Sequence, residues 1–183
     1  MAYDMIIDVG QDGERIALLK DKKLVELHQG TNDSGNFLVG EIYLGKVKKI
    51  MPGLNAAFVD VGHEKDAFLH YHDLGPYIRS WQKITKETLD GSRKDGDLTD
   101  FVLEPETVKT GKISQILKRN QEILVQILKE PISSKGPRLT TEISIAGRYF
   151  ILVPFYDTVN VSKKVSTLEE RKRLKNLGNS LKT

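Results

Sequence analysis

No cysteine occurs among the 183 residues, which excludes disulfide staples and thiolate-held metals. Long apolar runs are missing too: 39% of residues are hydrophobic and 29% are charged, and no stretch is apolar enough to cross a bilayer as a helix. The opening MAYDMIIDVGQDGERIALL lacks a basic start and carries acids where a leader would need an apolar core. No secretory signal is therefore expected, and the expected compartment is the cytoplasm. Net charge is only +3, from 28 Lys and Arg against 25 Asp and Glu, so the chain as a whole is no polybasic nucleic-acid binder. Where the charges fall matters more than their sum. The length suits one medium or two small domains, and the apolar fraction is enough for a core.

What is present is β-patterning, clearest over residues 40–74, GEIYLGKVKKIMPGLNAAFVDVGHEKDAFLHYHDL. Ile42, Leu44, Val47 and Ile50 alternate with Lys46, Lys48 and Lys49, and the slip in phase at Gly45 suits a bulge or tight bend. Pro52-Gly53 predicts a turn, with proline presetting one dihedral and glycine free to take a positive φ. Two further strands follow, residues 55–60 and 66–70, joined by a turn at Val61-Gly62-His63-Glu64. Such a coiled set of short strands fits a five-stranded OB-type barrel, whose second and third strands bind single-stranded nucleic acid through aromatic stacking and basic residues. Phe58 and Phe68 fall on those strands, near Lys46, Lys48 and Lys49. A phenylalanine in a strand is often simply core. Here the flanking Ala57 and Val59 lie on the opposite side by strand alternation, so they can face inward while Phe58 faces out.

The run GKVKKIMPGLNAAFVDVGHEKDAFLHYHDL resembles the S1 domain of the bacterial ribonuclease E/G family, through its P-x-L-x-A-A-F-V-D-x-G turn and strand followed by F-L. The resemblance extends through residues 5–28 before it and through KEPISSKGPRLTTEISIAGRYFILVP after it. It implies that Phe58 and Phe68 contact RNA, together with a lysine matched to Lys129. It also implies metal-assisted phosphodiester hydrolysis by magnesium held on aspartates of a later domain, a zinc shared between protomers, and a homo-oligomer. Neither the aspartates nor the zinc cysteines are expected in this chain, which by itself is expected to be catalytically inert and to need no cofactor.

The rest of the chain fits the same frame. Residues 1–37 read as a β-meander with strands at 4–9, 14–20 and 23–28, resembling the start of an RNase H-like subdomain, and residues 29–36 as a polar linker. Asp8 is placed where such a strand could carry a metal-binding acid, but no partner carboxylates are in view. Residues 38–141 form the expected S1 (OB-type) domain, with an insertion at about 75–110 that is longer than the family's loop. Its acids, Glu87, Asp90, Asp95, Asp97, Asp100, Glu104 and Glu106, place it away from a phosphate path. Tyr77, Ile78 and Trp81 suggest a short helix at its start, with Trp81 either packing or stacking on a base. Ile123 to Ile127 read as the fourth barrel strand and Leu139 to Thr141 as the fifth. Lys129, Lys135 and Arg138 frame a loop suited to gripping phosphates. His70 and Tyr71 are placed at the rim of the RNA face, with His63 near it. His70, His72 and Asp73 also invite a metal reading, although His28 and His63 lack a spacing that would complete a site.

Residues 142–183 read as two β-rich runs about Gly147 and then a helix, resembling the start of a region that senses the RNA 5′ end. Ser166 and Glu169 make a capping box, Arg171, Lys172, Arg173 and Lys175 favour the helix C-terminal half, and Gly178 is expected to end it. The expected class is therefore mostly β (α+β), with single-stranded RNA as partner and no membrane. The expected function is RNA binding within an endoribonuclease of RNA processing; a stand-alone S1 adaptor without nuclease activity is the alternative.

Overall fold

A computed structural model describes residues 3–10, 13–31, 37–94, 96, 98 and 100–180. They fall into two compact units, Met1–Asn36 and Phe37–Thr183. The first is an antiparallel meander of β1 (Tyr3–Gly10), β2 (Gly13–Lys20) and β3 (Lys23–Thr31), in the order β1-β2-β3. β3 runs on through Gln29, Gly30 and Thr31, which the sequence assigns to a linker, because β2 offers partners as far as Gly13. The remaining linker residues 32–36, and residues 11–12 between β1 and β2, lie outside the described residues. Asp8 is exposed and paired across the ladder with Arg15.

The second unit is built on a closed barrel of β4 (Ile42–Met51), β5 (Ala56–Asp60), β6 (Ala67–His70), β7 (Glu122–Lys129) and β8 (Arg138–Thr140), in the order β4-β5-β6-β8-β7. β8 runs parallel to β6 and antiparallel to β7, so one short strand closes the sheet and leaves no open edge. This is consistent with an OB-type barrel. Val47, Ala57, Val59, Leu69, Ile123, Val125, Ile127 and Leu139 fill its interior, each at most 1% exposed. Burying side chains of this size contributes roughly 1.5–3 kcal/mol each.

Two local expectations are corrected. The slip in β4 falls between Val47 and Lys49, not at Gly45, which stays in regular register opposite Ile123. Gly45 faces inward at a close approach: a Cβ there would lie 2.6 Å from Val59 Cγ1. Ile42 and Leu44 consequently point outward, 39% and 49% exposed. After β4, Pro52–Leu54 form a 3-10 turn, and the left-handed residue is Asn55 (φ 47°) rather than Gly53. Asparagine tolerates that region. Its side chain ties two segments together, donating to the Gly111 carbonyl (2.8 Å) and accepting from the Ile113 amide (2.7 Å).

The insertion opens with α1 (Ile78–Leu89), and its described residues beyond the helix return without a further helix or strand. Its acids are used locally: Glu87 accepts from Arg93 (2.9 Å), Glu104 pairs with Lys83 (3.4 Å), and Glu106 accepts from the Tyr77 hydroxyl (3.1 Å). Asp95 and Asp97 lie outside the described residues. Trp81 packs on Phe155, with centroids 5.0 Å apart, which leaves the packing reading of its two.

The C-terminal piece is a small hairpin, β9 (Ile145–Ala146) with β10 (Ile151–Leu152), followed by α2 (Leu168–Ser180). The helix begins later than a Ser166 cap requires. It also runs through Gly178 rather than ending there. That glycine is needed for packing, because a Cβ would lie 2.5 Å from Val159 Cγ1 and 3.2 Å from Phe150 Cε1. Arg171 is committed to the carbonyls of Val161, Ser162 and Val165.

Candidate nucleic-acid interface

Pairing across the barrel sets five residues in one row. Lys49 lies opposite Phe58, Phe58 opposite Phe68, Phe68 opposite Arg138, and Arg138 opposite Lys129. Each end of the row sits at a bulge, where Lys48 in β4 and Leu128 in β7 are the extra residues. A bulge changes which side chains share a face beyond it, and here it brings Lys49 and Lys129 level with the two rings. Ala57, Val59, Ala67 and Leu69 are fully buried, so by strand alternation Phe58 and Phe68 stand on the outer face. Both rings are half-buried and meet edge to face at 5.8 Å.

Beside this row runs a groove of about 910 Å³, lined by Phe58, Phe68, Lys65, Lys129, Lys135 and Arg138 together with Asp66 and Glu130. Its far wall is the loop between β7 and β8, held against the β5–β6 turn at Gly136, where a Cβ would meet the Asp66 carbonyl oxygen. No residue of the insertion lines it.

The basic residues are not equivalent. Lys48 bridges Asp60 (3.1 Å) and Asp66 (2.9 Å), and the hydrogen bonds to Asp66 and then Asp60 raise its pKa. Its charge is already answered. Lys46 stands opposite Asp60 and outside the groove lining. Arg138 donates from Nε and Nη2 to the two carboxylate oxygens of Asp73 (2.8 and 3.1 Å), a fork that raises its pKa and fixes its direction. Lys129 and Lys135 line the groove without a carboxylate partner among the described ion pairs.

Along β6 the rings continue. Phe68 and His70 lie 6.4 Å apart at 27°, and His70 and His72 lie 5.0 Å apart at 12°. The expected place of Tyr71 at the rim is corrected: it is 3% exposed and belongs to the core, its hydroxyl donating to the Val108 carbonyl (2.8 Å). Counting by twos from the outward Phe68 puts Tyr71 inside, a signal the sequence carried. His63 sits against Phe37, edge to face at 4.8 Å, and not beside the ring ladder. Lys49, which does not line the groove but stands opposite Phe58 in the ladder, is the cation that the site assignment from sequence omits, since only the bulge at Lys48 brings it level with that ring. The metal reading of His70, His72 and Asp73 fails on geometry, because the two imidazoles stack rather than converge and Asp73 is held by Arg138. Among the described residues no three His, Asp or Glu side chains form a group able to hold a metal ion.

A closed five-stranded barrel, consistent with the OB type and carrying an aromatic and basic groove, is the class that fold and face define. The profile described as the Ribonuclease E/G family matches residues 144–183. Ribonuclease G of Haemophilus influenzae is 35% identical over 176 residues, 96% of this chain and 32% of that protein. Ribonuclease G of Escherichia coli is 32% identical over 175 residues, again 96% of this chain and 32% of that protein. Ribonuclease E of a Synechocystis species is 38% identical over 145 residues, 79% of this chain and 18% of that protein. The chain belongs to the ribonuclease E/G family, and spans about a third or less of the length of these relatives.

Proposed function

We propose that the barrel is an S1-type module that binds single-stranded RNA, serving a ribonuclease E/G-type endoribonuclease in RNA processing and decay, ribosomal RNA included. The observation that carries this reading is the row Lys49, Phe58, Phe68, Arg138 and Lys129, aromatic at its centre and cationic at both ends. Bases stack on the two phenyl rings, each contributing about 1–3 kcal/mol, and every base has a π face, so the site tolerates sequence. Lys49, Lys129 and Lys135 neutralise phosphates, which makes affinity fall as salt rises. Arg138, steered by Asp73, offers its remaining guanidinium N–H groups to the strand.

The same reading assigns phosphodiester hydrolysis, magnesium, zinc and homo-oligomer contacts to the length of the relatives that this chain does not span, and the cytoplasm as its compartment. No step is assigned to a metal here. No described helix is long and apolar enough to cross a membrane.

Fluorescence anisotropy with a short single-stranded RNA at two salt concentrations tests the proposal. The native chain should bind more weakly at higher salt, and Phe58→Ala/Phe68→Ala should bind at least tenfold more weakly, on the order of one lost stacking contact or more. Unchanged binding by a folded double variant would remove the aromatic face as the site.

A further inference from the structure

The ring ladder does not stop at Phe68. Phe58, Phe68, His70 and His72 follow one another at centroid distances of 5.8, 6.4 and 5.0 Å, and the last two steps are nearly parallel, at 27° and 12°. A 3-10 turn at Tyr71–Asp73 continues the outward phase of β6, so His72 remains exposed while Tyr71 between the histidines is buried. The pair is built stiffly. The His72 amide donates to Nδ1 of His70 (3.1 Å), so that nitrogen carries no proton and the Nε2–H of His70 is its donor. Buried Tyr71, bonded to Val108, anchors the turn from below.

A cation stands at this end as well. Lys109, on the returning segment of the insertion, donates from Nζ to the Leu74 carbonyl (2.9 Å) and more weakly to the His72 carbonyl (3.4 Å). An ammonium has three donors and these acceptors are neutral, so the charge is not cancelled by them and one N–H is unassigned. The ladder thus has Lys49 opposite its first ring residue and Lys109 on the backbone carbonyl of its last.

We infer that His72 and Lys109 form a further nucleotide position of the RNA track, His72 as a stacking platform and Lys109 as the phosphate contact. The strand accordingly runs along β6 towards the insertion instead of ending at Phe68. This gives the insertion a role in binding: it carries the lysine that closes the track. The inference rests on the RNA-binding reading above, and its test separates the two.

The test is binding of uridine oligonucleotides from about two to about six nucleotides long, comparing the native chain with His72→Ala, His72→Phe, Lys109→Gln and Phe58→Ala/Phe68→Ala. For the longer oligonucleotides His72→Ala should lower affinity about five- to tenfold, the loss of one stacked base, while the shortest bind as before. His72→Phe should restore the difference, because it keeps a flat ring without the imidazole nitrogens. Lys109→Gln should weaken only the longer oligonucleotides and reduce their salt dependence by about one phosphate contact. If His72→Ala and Lys109→Gln match the native chain at every length while the phenylalanine variant is weakened, the track ends at Phe68 and this inference is overturned. If the phenylalanine variant is itself unweakened, the RNA face is overturned and the extension with it.

Discussion

Phe58 and Phe68 face one another across the β5–β6 ladder with ring centroids 5.8 Å apart and planes at 65°, an edge-to-face pair on the outside of the barrel. Each ring holds the other in place, so the stacking surface is ordered before a ligand arrives. Removing one ring therefore loosens the second. In a double-mutant cycle on RNA affinity, Phe58→Ala and Phe68→Ala should each weaken binding, and the double variant should lose less than the sum of the two. The coupling expected for touching residues is about 0.5–1.5 kcal/mol. Strict additivity in anisotropy titrations would mean that the rings act separately.

Lys48 and Lys49 are neighbours in sequence with opposite expected roles. Lys49 stands opposite Phe58, whereas Lys48 is tied to Asp60 and Asp66. Lys49→Gln should lower affinity and reduce the slope of log affinity against log salt by about 0.7, the value for one single-strand phosphate contact. Lys48→Gln should leave that slope unchanged and should not tighten binding, since it exposes two carboxylates that Lys48 had balanced. Equal slopes for the two variants would show that the register at the bulge does not decide which lysine meets the backbone.

The alternation Ala57, Phe58, Val59 was readable because period two is a local property, and it turned Phe58 outward before any pairing was known. Closure of the barrel is not local. Which residue of β7 or β8 comes level with Phe68 depends on the shear of five strands and on two bulges, so the row from Lys49 to Lys129 had no signature in any one segment. The slip placed at Gly45 shows the same limit. A glycine in a strand marks either a bend or a close approach, and the contact that decides between them is Val59, fourteen residues on. Gly178 repeats the ambiguity in a helix: its packing against Val159 and Phe150 outweighs its tendency to end α2. Tyr71 was misplaced for a different reason: it was set at the rim together with His70, although its strand phase already pointed inward.

Gly136 lines the groove, and a Cβ added there would meet the backbone oxygen of Asp66 and lie 2.8 Å from that of Lys65. Backbone cannot swing aside as a side-chain tip can, so the loop between β7 and β8 must move away from the β5–β6 turn. Gly136→Ala should cost about 1–3 kcal/mol, the range for forced overpacking, read as a lowered denaturation midpoint. It should also weaken RNA binding, because Lys135 and Arg138 flank the displaced residue. A variant of native stability and affinity would mean that the loop carries neither the fold nor the groove.

Acid should act on this region through Asp60. Its carboxylate accepts from the Gly62 amide (3.0 Å) and pairs with Lys48 (3.1 Å), and these hold its pKa below the ordinary 3.8, the amide bond contributing most. A folded-state pKa below the unfolded one means that ionised Asp60 favours the fold. That contribution is fully present above about pH 4 and is lost as pH falls through the depressed folded-state value. Stability measured by urea denaturation between about pH 6 and pH 2 should therefore decline less steeply at the acid end for Asp60→Asn than for the native chain, although the variant starts lower at neutral pH. The side chain is 39% exposed, so solvent screening keeps the difference small. Parallel acid limbs for the two proteins would mean that the turn between β5 and β6 is held by packing and backbone bonds, without help from this charge.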